Sequence, residues 1–230
     1  MHKALIGFDI NEYPEIEIFQ KYFECDFCEY NEDYFIKNIS KYSILVPHLY
    51  LDLSSKLIGQ AKNLKYLFTP STGTNHIDLQ AVKENDINFY CLSDNADFIS
   101  EISSTAELAW LLILSANRRI IPLNRRVISE NSWKNNDIRG YQLKNKTIGI
   151  IGFGRLGKMV YEYAKSFDMN ILIYDIDENS VLGYENHVID FDGLIKSSDI
   201  ITLHPKLNET SFEMINKRSI GLMKDGVIII

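Results

Sequence analysis

The residues best placed to do chemistry are Gly152, Gly154, Gly157 and Asp175. An apolar run, Thr147 to Ile151, reads as a buried strand and is closed by Gly152-Phe153-Gly154-Arg155-Leu156-Gly157, with glycines at the G-x-G-x-x-G spacing. Leu156, Val160, Tyr163, Ala164 and Phe167 then fall on one helical face. A second strand, Asn170 to Tyr174, ends in Asp175, eighteen positions beyond Gly157. Each part has a physical job. Gly152 permits the tight strand-to-helix turn, Gly154 leaves room for a pyrophosphate against bare backbone, and Gly157 lets helix and strand pack closely. The free N–H groups at the helix start suit phosphate oxygens. Asp175 stands where a carboxylate accepts hydrogen bonds from an adenosine ribose. A 2′-phosphate would meet Asp175 with Asp177 nearby, which favours NAD over NADP. The bland alternative is a packing turn whose glycines serve only the fold.

The elements around this motif alternate strand and helix from the start of the chain. Ala4–Phe8 reads as a strand, Pro14–Phe23 as a helix with Ile16, Phe19 and Phe23 inward, and Ser43–Val46 as a strand stopped by Pro47. Leu53–Ala61 and Ile77–Glu84 read as helices, Lys65–Thr69 and Ile87–Cys91 as strands. Such alternation predicts a parallel sheet covered by helices. The loop Pro70–Asp78 follows the carboxyl end of a strand, where open α/β sheets hold ligands. Its small residues and Gly73 can present N–H groups to a carboxylate. A glycine-containing turn with Asp78 capping the next helix explains it equally well.

Ser93–Ser103 is polar and without periodicity, a candidate hinge. Ser104-x-x-Glu107 reads as a capping box. The helix it opens is apolar almost all round through Leu114, which calls for burial between domains or subunits. Asn117-Arg118-Arg119 closes that helix with cations. Trp133, read as a packing anchor, and Gly140 lie in the polar stretch that follows. Beyond Asp175, His187–Phe191 reads as a strand, Leu194–Asp199 as the close of a short helix, and Ile200–Leu203 as a strand ending in His204-Pro205-Lys206. A helix around Met214–Ile220 and a strand from Val227 complete the pattern.

Composition narrows the function classes. A net charge of −7 and a pI near 5.3 leave no basic stripe for nucleic acid. The longest apolar stretch, Leu108–Ala116, is far below the roughly 20 residues of a membrane helix, and the N-terminal run is too short for a signal peptide. Three cysteines and no disulfide pattern suit a reducing, cytoplasmic setting. Cys25 and Cys28 form a C-x-x-C in a strand-like stretch rather than at a helix start, and read as packing residues. No metal-ligand cluster stands out.

STGTNHIDL at 71–79, STAELAWLLIL at 104–114, KTIGIIGFGRLGK at 146–158, Asp175, and DIITLHP at 199–205 occur in that order. ETSFEMINKRSIGLMKDGVIII follows at 209–230. Through these motifs the chain resembles the D-isomer-specific 2-hydroxyacid dehydrogenases, the group that contains D-3-phosphoglycerate dehydrogenase. The resemblance implies an α/β protein with two domains. Residues 1–98 would form a flavodoxin-like substrate domain, and residues 99–230 a Rossmann NAD-binding domain incomplete at its C-terminus. It implies NAD-dependent interconversion of a small 2-hydroxy acid and its 2-keto acid, with a homodimer as the assembly. Thr72 and Gly73 match the loop whose amides hold the substrate carboxylate. Arg155 and Leu156 match positions at the pyrophosphate, and Asp175 the ribose acid. Thr105, His204, Pro205 and Thr210 match positions lining the cofactor, so His204 is not the expected proton donor.

Two departures qualify the match. One residue fewer separates His204 from Thr210 than is usual in the family. The orienting arginine, and the acid/base histidine with its glutamate, follow the strand that Val227 begins, so no catalytic residue is expected within 1–230. The sequence is therefore expected to be a truncated piece of a longer enzyme, inactive alone, or else a non-catalytic dinucleotide-binding remnant. A methyltransferase on the same nucleotide fold is disfavoured by the glycine spacing and the family-like substrate loop.

Overall fold

The computed structural model of the chain describes residues 2–28, 31–130 and 138–230, and Trp133 lies outside them. The chain divides into two compact units, Met1–Ile99 and Ser100–Ile230.

The first unit is built on a five-stranded parallel sheet. Its strands are β1 (Lys3–Ile6), β2 (Glu24–Phe27), β3 (Ile44–Val46), β4 (Tyr66–Thr69) and β5 (Asn88–Cys91), in the order β2-β1-β3-β4-β5. Helices α1 (Glu32–Asn38), α2 (Ser55–Gln60) and α3 (Leu79–Glu84) connect them. Alternate strand residues serve opposite faces. Leu5, Leu45 and Leu67 pack with Phe35, Leu57, Ile58 and Val82 on one face, while Ala4, Ile6, Ile44 and Val46 meet Phe8, Ile16 and Phe19 on the other. Cys25 packs on the second face and Cys28 on the first, so the C-x-x-C cysteines are separated by the sheet. Burial pushes the Cys28 thiol up to about 11, the state of an inert packing residue.

Several local expectations need correction. Pro14–Phe23 is a 3-10 helix over Pro14–Lys21 with none of its residues fully buried. Helix α1 has no counterpart in the sequence reading, although Asn31 caps it by accepting from the Tyr34 N–H. Ser93–Ser103 is not irregular throughout: it contains a 3-10 turn, Leu92–Asp94, and helix α4 (Ala96–Ser100).

The second unit has a four-stranded parallel sheet of β6 (Thr147–Ile151), β7 (Asn170–Tyr174), β8 (Ile200–Leu203) and β9 (Ile228–Ile229), in the order β7-β6-β8-β9. Helices α5 (Ser104–Asn117), α6 (Ile120–Glu130), α7 (Arg155–Ser166), α8 (Phe191–Ser197) and α9 (Lys217–Ile220) accompany it. Ile148 and Ile150 pack against α5 and α7, and Leu194 and Ile195 of α8 lie with Ile151 and Ile201 on the other face.

Helix α5 begins one residue earlier than the capping box requires. Ser103 occupies the cap, and its hydroxyl donates to Glu107 instead of accepting a backbone N–H. The helix is two-faced rather than evenly buried. Ala106, Ala109, Trp110 and Ile113 enter the core, whereas Leu108, Leu111 and Leu112 stay exposed. By length and composition alone the run Ala96–Asn117 is apolar enough to cross a bilayer, yet the inner face of α5 packs into the core of the β6–β9 sheet unit. The inward face of α7 uses Tyr161 rather than Phe167, which is 41% exposed. His187–Phe191 is not a strand: a 3-10 turn ends at His187, Val188 makes a single bridge to Ile173, and α8 starts at Phe191.

Candidate functional site

In the order β7-β6-β8-β9 the direction of winding reverses between β6 and β8, and ligands of open α/β sheets sit outside the carboxyl ends of the strands at such a point. The glycine turn stands there. Gly152 has φ +85°, and a Cβ on it would lie 2.5 Å from the Pro205 nitrogen and 2.6 Å from the His204 carbonyl carbon. The β6 and β8 turns are thus in direct contact through a residue that carries no side chain. A Cβ on Gly157 would collide with the Gly152 carbonyl oxygen, so this glycine is required for helix–strand packing. Gly154 differs from both. It caps α7, and a Cβ there would meet nothing within 4 Å, which leaves open space beside bare backbone at a helix N-terminus.

Asp175 ends β7 beside this turn. Its Oδ2 accepts from the Phe153 N–H at 2.5 Å and its Oδ1 from the Asp177 N–H at 2.8 Å. A carboxylate has about four acceptor sites, so each oxygen retains capacity for a hydroxyl donor. The open space at Gly154, the helix start and the anchored acid fit the diphosphate and ribose of a dinucleotide.

Arg155 and Leu156, the first residues of α7, are half-buried, and the Arg155 guanidinium donates to the Ile102 carbonyl. That bond brings the segment leading into α5, where Thr105 is exposed, to the glycine turn. His204 is bonded through Nε2 to the Thr202 hydroxyl at 2.9 Å, and burial pushes its imidazole down to about 4. It is neutral at physiological pH. Thr210 is exposed in a turn of its own, donating both its N–H and its hydroxyl to Asn208 Oδ1.

The first unit carries the other candidate residues. Beyond β4, the Ser71 hydroxyl donates to the Gly73 carbonyl at 2.7 Å and contacts Thr69 Oγ1 at 2.8 Å. Thr72 and Gly73 are exposed, and among the described hydrogen bonds none uses their N–H groups. Asp78 caps α3 by accepting from Ala81, so the loop holds both a helix cap and a pair of amides available to an anion. The β3 loop is zipped to it. Leu53 bridges Ile77, donates to the His76 carbonyl at 2.8 Å, and accepts from the Asp78 N–H at 3.0 Å. Burial holds the His76 imidazole below its usual range, against the opposing charge of Asp52, and its Nε2 is shielded without a partner.

The sequence reading missed a ring cluster at the same end of this sheet. Phe8 lies 5.3 Å from His48 and 5.8 Å from Tyr13, and His48 lies 4.7 Å from Tyr50. The available signal was an aromatic residue just past each of two strand ends, after Gly7 and after Pro47. Among the described residues no group of three His, Cys, Asp or Glu side chains is placed to hold a metal.

Residues 110–230 match the NAD binding domain of the D-isomer specific 2-hydroxyacid dehydrogenases, and residues 7–111 match the catalytic domain of the same group. The chain belongs to this family. It is 34% identical over 197 residues to D-3-phosphoglycerate dehydrogenase of Archaeoglobus fulgidus, covering 85% of this chain and 36% of that protein. To hydroxypyruvate reductase of Thermotoga maritima it is 35% identical over 202 residues, covering 86% and 63%. It thus spans less than two thirds of these family members. A crystal structure of D-lactate dehydrogenase from Aquifex aeolicus, complexed with NAD and lactic acid, superposes with a TM-score of 0.82 at 27% identity, covering 99% of this chain and 67% of that one. The Rossmann-type unit of this family member is therefore an NAD-binding domain, and the glycine turn and Asp175 lie within its matched residues.

Proposed function

We propose that this chain carries the cofactor cradle and the carboxylate loop of an NAD-dependent oxidoreductase that interconverts a small D-2-hydroxy acid and its 2-keto acid. The observation that carries the reading is the Gly152 turn, seated on His204-Pro205 with open space at Gly154 and Asp175 anchored beside it. Bound NADH supplies the hydride for the keto carbon. The chain's own residues bind and orient. The Thr72 and Gly73 N–H groups take the substrate carboxylate, and the backbone at Gly154, Arg155 and Leu156 takes the pyrophosphate. Asp175 takes the adenosine ribose and disfavours a 2′-phosphate, while Thr105, His204, Pro205 and Thr210 line the dinucleotide. The family's substrate chemistry further suggests that a small 2-keto acid is the partner ligand. The exposed apolar side of α5 suits a homodimer.

Titration of residues 1–230 with NADH, followed by nicotinamide fluorescence, tests the cofactor half. Saturable NADH binding without S-adenosylmethionine binding is expected, and no NADH binding overturns the reading.

One observation favours a second reading, in which residues 1–230 bind dinucleotide without turning over substrate. Reduction needs a proton donor and an orienting cation beside the nicotinamide. His204, the histidine at the glycine turn, is neutral, and its side-chain partner among the described residues is Thr202 rather than a carboxylate. On this reading residues 1–230 oxidise no NADH with pyruvate or glyoxylate. Measurable turnover by the pure chain excludes it.

A further inference from the structure

Between Gly152 and Gly154 the glycine turn carries a single side chain, that of Phe153. The two glycines leave the backbone on either side of it wide conformational freedom, and Gly152 uses that freedom at φ +85°. The Phe153 ring is therefore the handle by which the rest of the unit can fix the orientation of the turn. It is 0% exposed, although Phe153 belongs to a loop and not to a strand or helix.

Two tyrosines hold this ring edge-on. Tyr161 of α7 lies 5.7 Å from it with planes at 83°, and Tyr184, in the loop after β7, lies 4.8 Å away at 72°. The tyrosines also meet each other edge-on, at 5.0 Å and 82°. Edge-to-face pairing is directional, so three rings in this arrangement resist sliding more than aliphatic side chains do. The far side of the cluster is polar. The Tyr161 hydroxyl lies 3.2 Å from His187 Nε2, and His187 Nδ1 lies 3.2 Å from the Ile171 carbonyl oxygen. A carbonyl oxygen only accepts, so Nδ1 carries the proton, Nε2 of the neutral ring accepts, and the Tyr161 hydroxyl donates.

This chain of contacts closes on itself. Ile171 lies on β7, the strand that runs into Asp175, and Asp175 Oδ2 accepts from the Phe153 N–H. The cluster thus bears on both partners of that hydrogen bond: on the donor through the Phe153 ring, and on the acceptor's strand through His187. The other Asp175 oxygen is held by the Asp177 N–H, two residues along the same loop. Release of the Phe153 N–H would let the carboxylate turn about that local anchor. A fixed carboxylate meets the ribose hydroxyls and repels a 2′-phosphate, and a turned one does both less well.

We propose that Phe153 is a positioning residue for ribose recognition: its ring, held by Tyr161, Tyr184 and His187, keeps its N–H on Asp175 and so sets how strongly NADH is preferred to NADPH. The proposal rests on the reading of Asp175 as the ribose acid, and names what holds that acid in place.

The test compares NADH and NADPH affinities, by titration of the 230-residue chain, in Tyr161→Phe, Phe153→Leu and Ile113→Val. Tyr161→Phe keeps every ring and deletes only the hydroxyl that reaches His187, so the fold is expected to persist. The ratio of NADH to NADPH affinity should fall about threefold in Tyr161→Phe and about tenfold in Phe153→Leu, as a charge-assisted hydrogen bond is weakened or lost. Ile113→Val trims a fully buried side chain of α5 in the same core, and should lower the melting temperature without moving the ratio. The Phe153 amide proton gives a second readout that needs no cofactor. Bonded to a carboxylate it resonates downfield, and it should move upfield in Tyr161→Phe. A ratio or an amide resonance unchanged in folded Tyr161→Phe overturns the proposal and leaves the ribose reading of Asp175 intact. So does a ratio that falls equally in Ile113→Val. A wild-type chain that does not prefer NADH to NADPH overturns both.

Discussion

Phe153 donates its N–H to Asp175 Oδ2 at 2.5 Å, so the middle of the glycine turn and the acid ending the next strand form one hydrogen-bonded unit. The bond fixes the carboxylate before any ribose arrives, and the second oxygen is fixed by the Asp177 N–H. Asp175→Ala removes both anchors together with the ribose acceptor. A hydrogen bond to a charged group contributes about 1.5–3 kcal/mol. Affinity for NADH is therefore expected to fall by roughly 10- to 100-fold, while NADPH affinity changes little or rises as the like charge is removed. Parallel calorimetric titrations with the two cofactors measure this. An unchanged ratio of NADH to NADPH affinity would show that Asp175 does not read the ribose.

The three glycines of the turn should separate cleanly under substitution by alanine. Gly157→Ala drives a methyl into the Gly152 carbonyl and should lower stability by about 2 kcal/mol or more, as overpacking does. Gly154→Ala meets open space at φ −74°, outside the left-handed region, and should leave stability nearly unchanged. Its methyl would occupy the volume assigned to the pyrophosphate, and NADH binding should drop at least tenfold. Thermal melts and NADH titrations of both variants check the pair. Normal NADH binding by Gly154→Ala would falsify the assignment of that space.

The β6–glycine turn–α7–β7 pattern was readable because every part of it is local. Glycine spacing, the α7 periodicity and Asp175 lie within thirty consecutive residues, and backbone chemistry dictates each. What could not be read locally was decided by packing. Phe167 and Tyr161 have equal apolar claims on the core face of α7, and the Phe153, Tyr184 and His187 rings around Tyr161 settle it. His187–Phe191 alternates like a strand, but Asp190 caps α8 by accepting from the Gly193 N–H and turns the chain into a helix. Helix α6 was missed although Pro122 falls in its first turn, where no N–H partner is needed. The rings of Phe8 and His48 are forty residues apart in the chain and meet only because β1 and β3 are neighbours.

Stability should fall on acidification before the carboxylates titrate. The His204 imidazole is held down to about 4 by burial, against 6.5 for a free histidine. The unfolded chain therefore takes up the proton first, and the stabilisation present above pH 6.5 is lost as the pH falls toward 4. It amounts to at most about 3 kcal/mol. His76, also held down by burial, acts in the same direction. Carboxylates held below their usual range, such as Asp192 bonded to Arg218 and Asp26 bonded to Tyr42, lose their contribution at lower pH. Urea unfolding at pH 7.5 and 5 should show the loss, and His204→Gln should flatten it. An equally steep dependence in that variant would assign the effect elsewhere.

The two faces of α5 make a prediction about assembly. Ala106, Ala109, Trp110 and Ile113 recur at helical spacing and are buried within the unit. Leu108, Leu111 and Leu112 recur one face away and are 55%, 58% and 45% exposed. Ile120, Ile121 and Ile128 of α6 add further exposed apolar surface. A patch of this kind favours association, and a two-fold contact would place each leucine near its own counterpart or a neighbour. The wild-type chain is expected to sediment at twice its 26.6 kDa mass. Leu111→Glu would set like charges in an apolar contact and should give a monomer. Because Leu111 lies outside the core, the monomer's sheet packing and NADH site should persist, so NADH binding distinguishes lost association from misfolding. A wild-type chain that sediments as a monomer at micromolar concentration would leave the apolar face of α5 without this role.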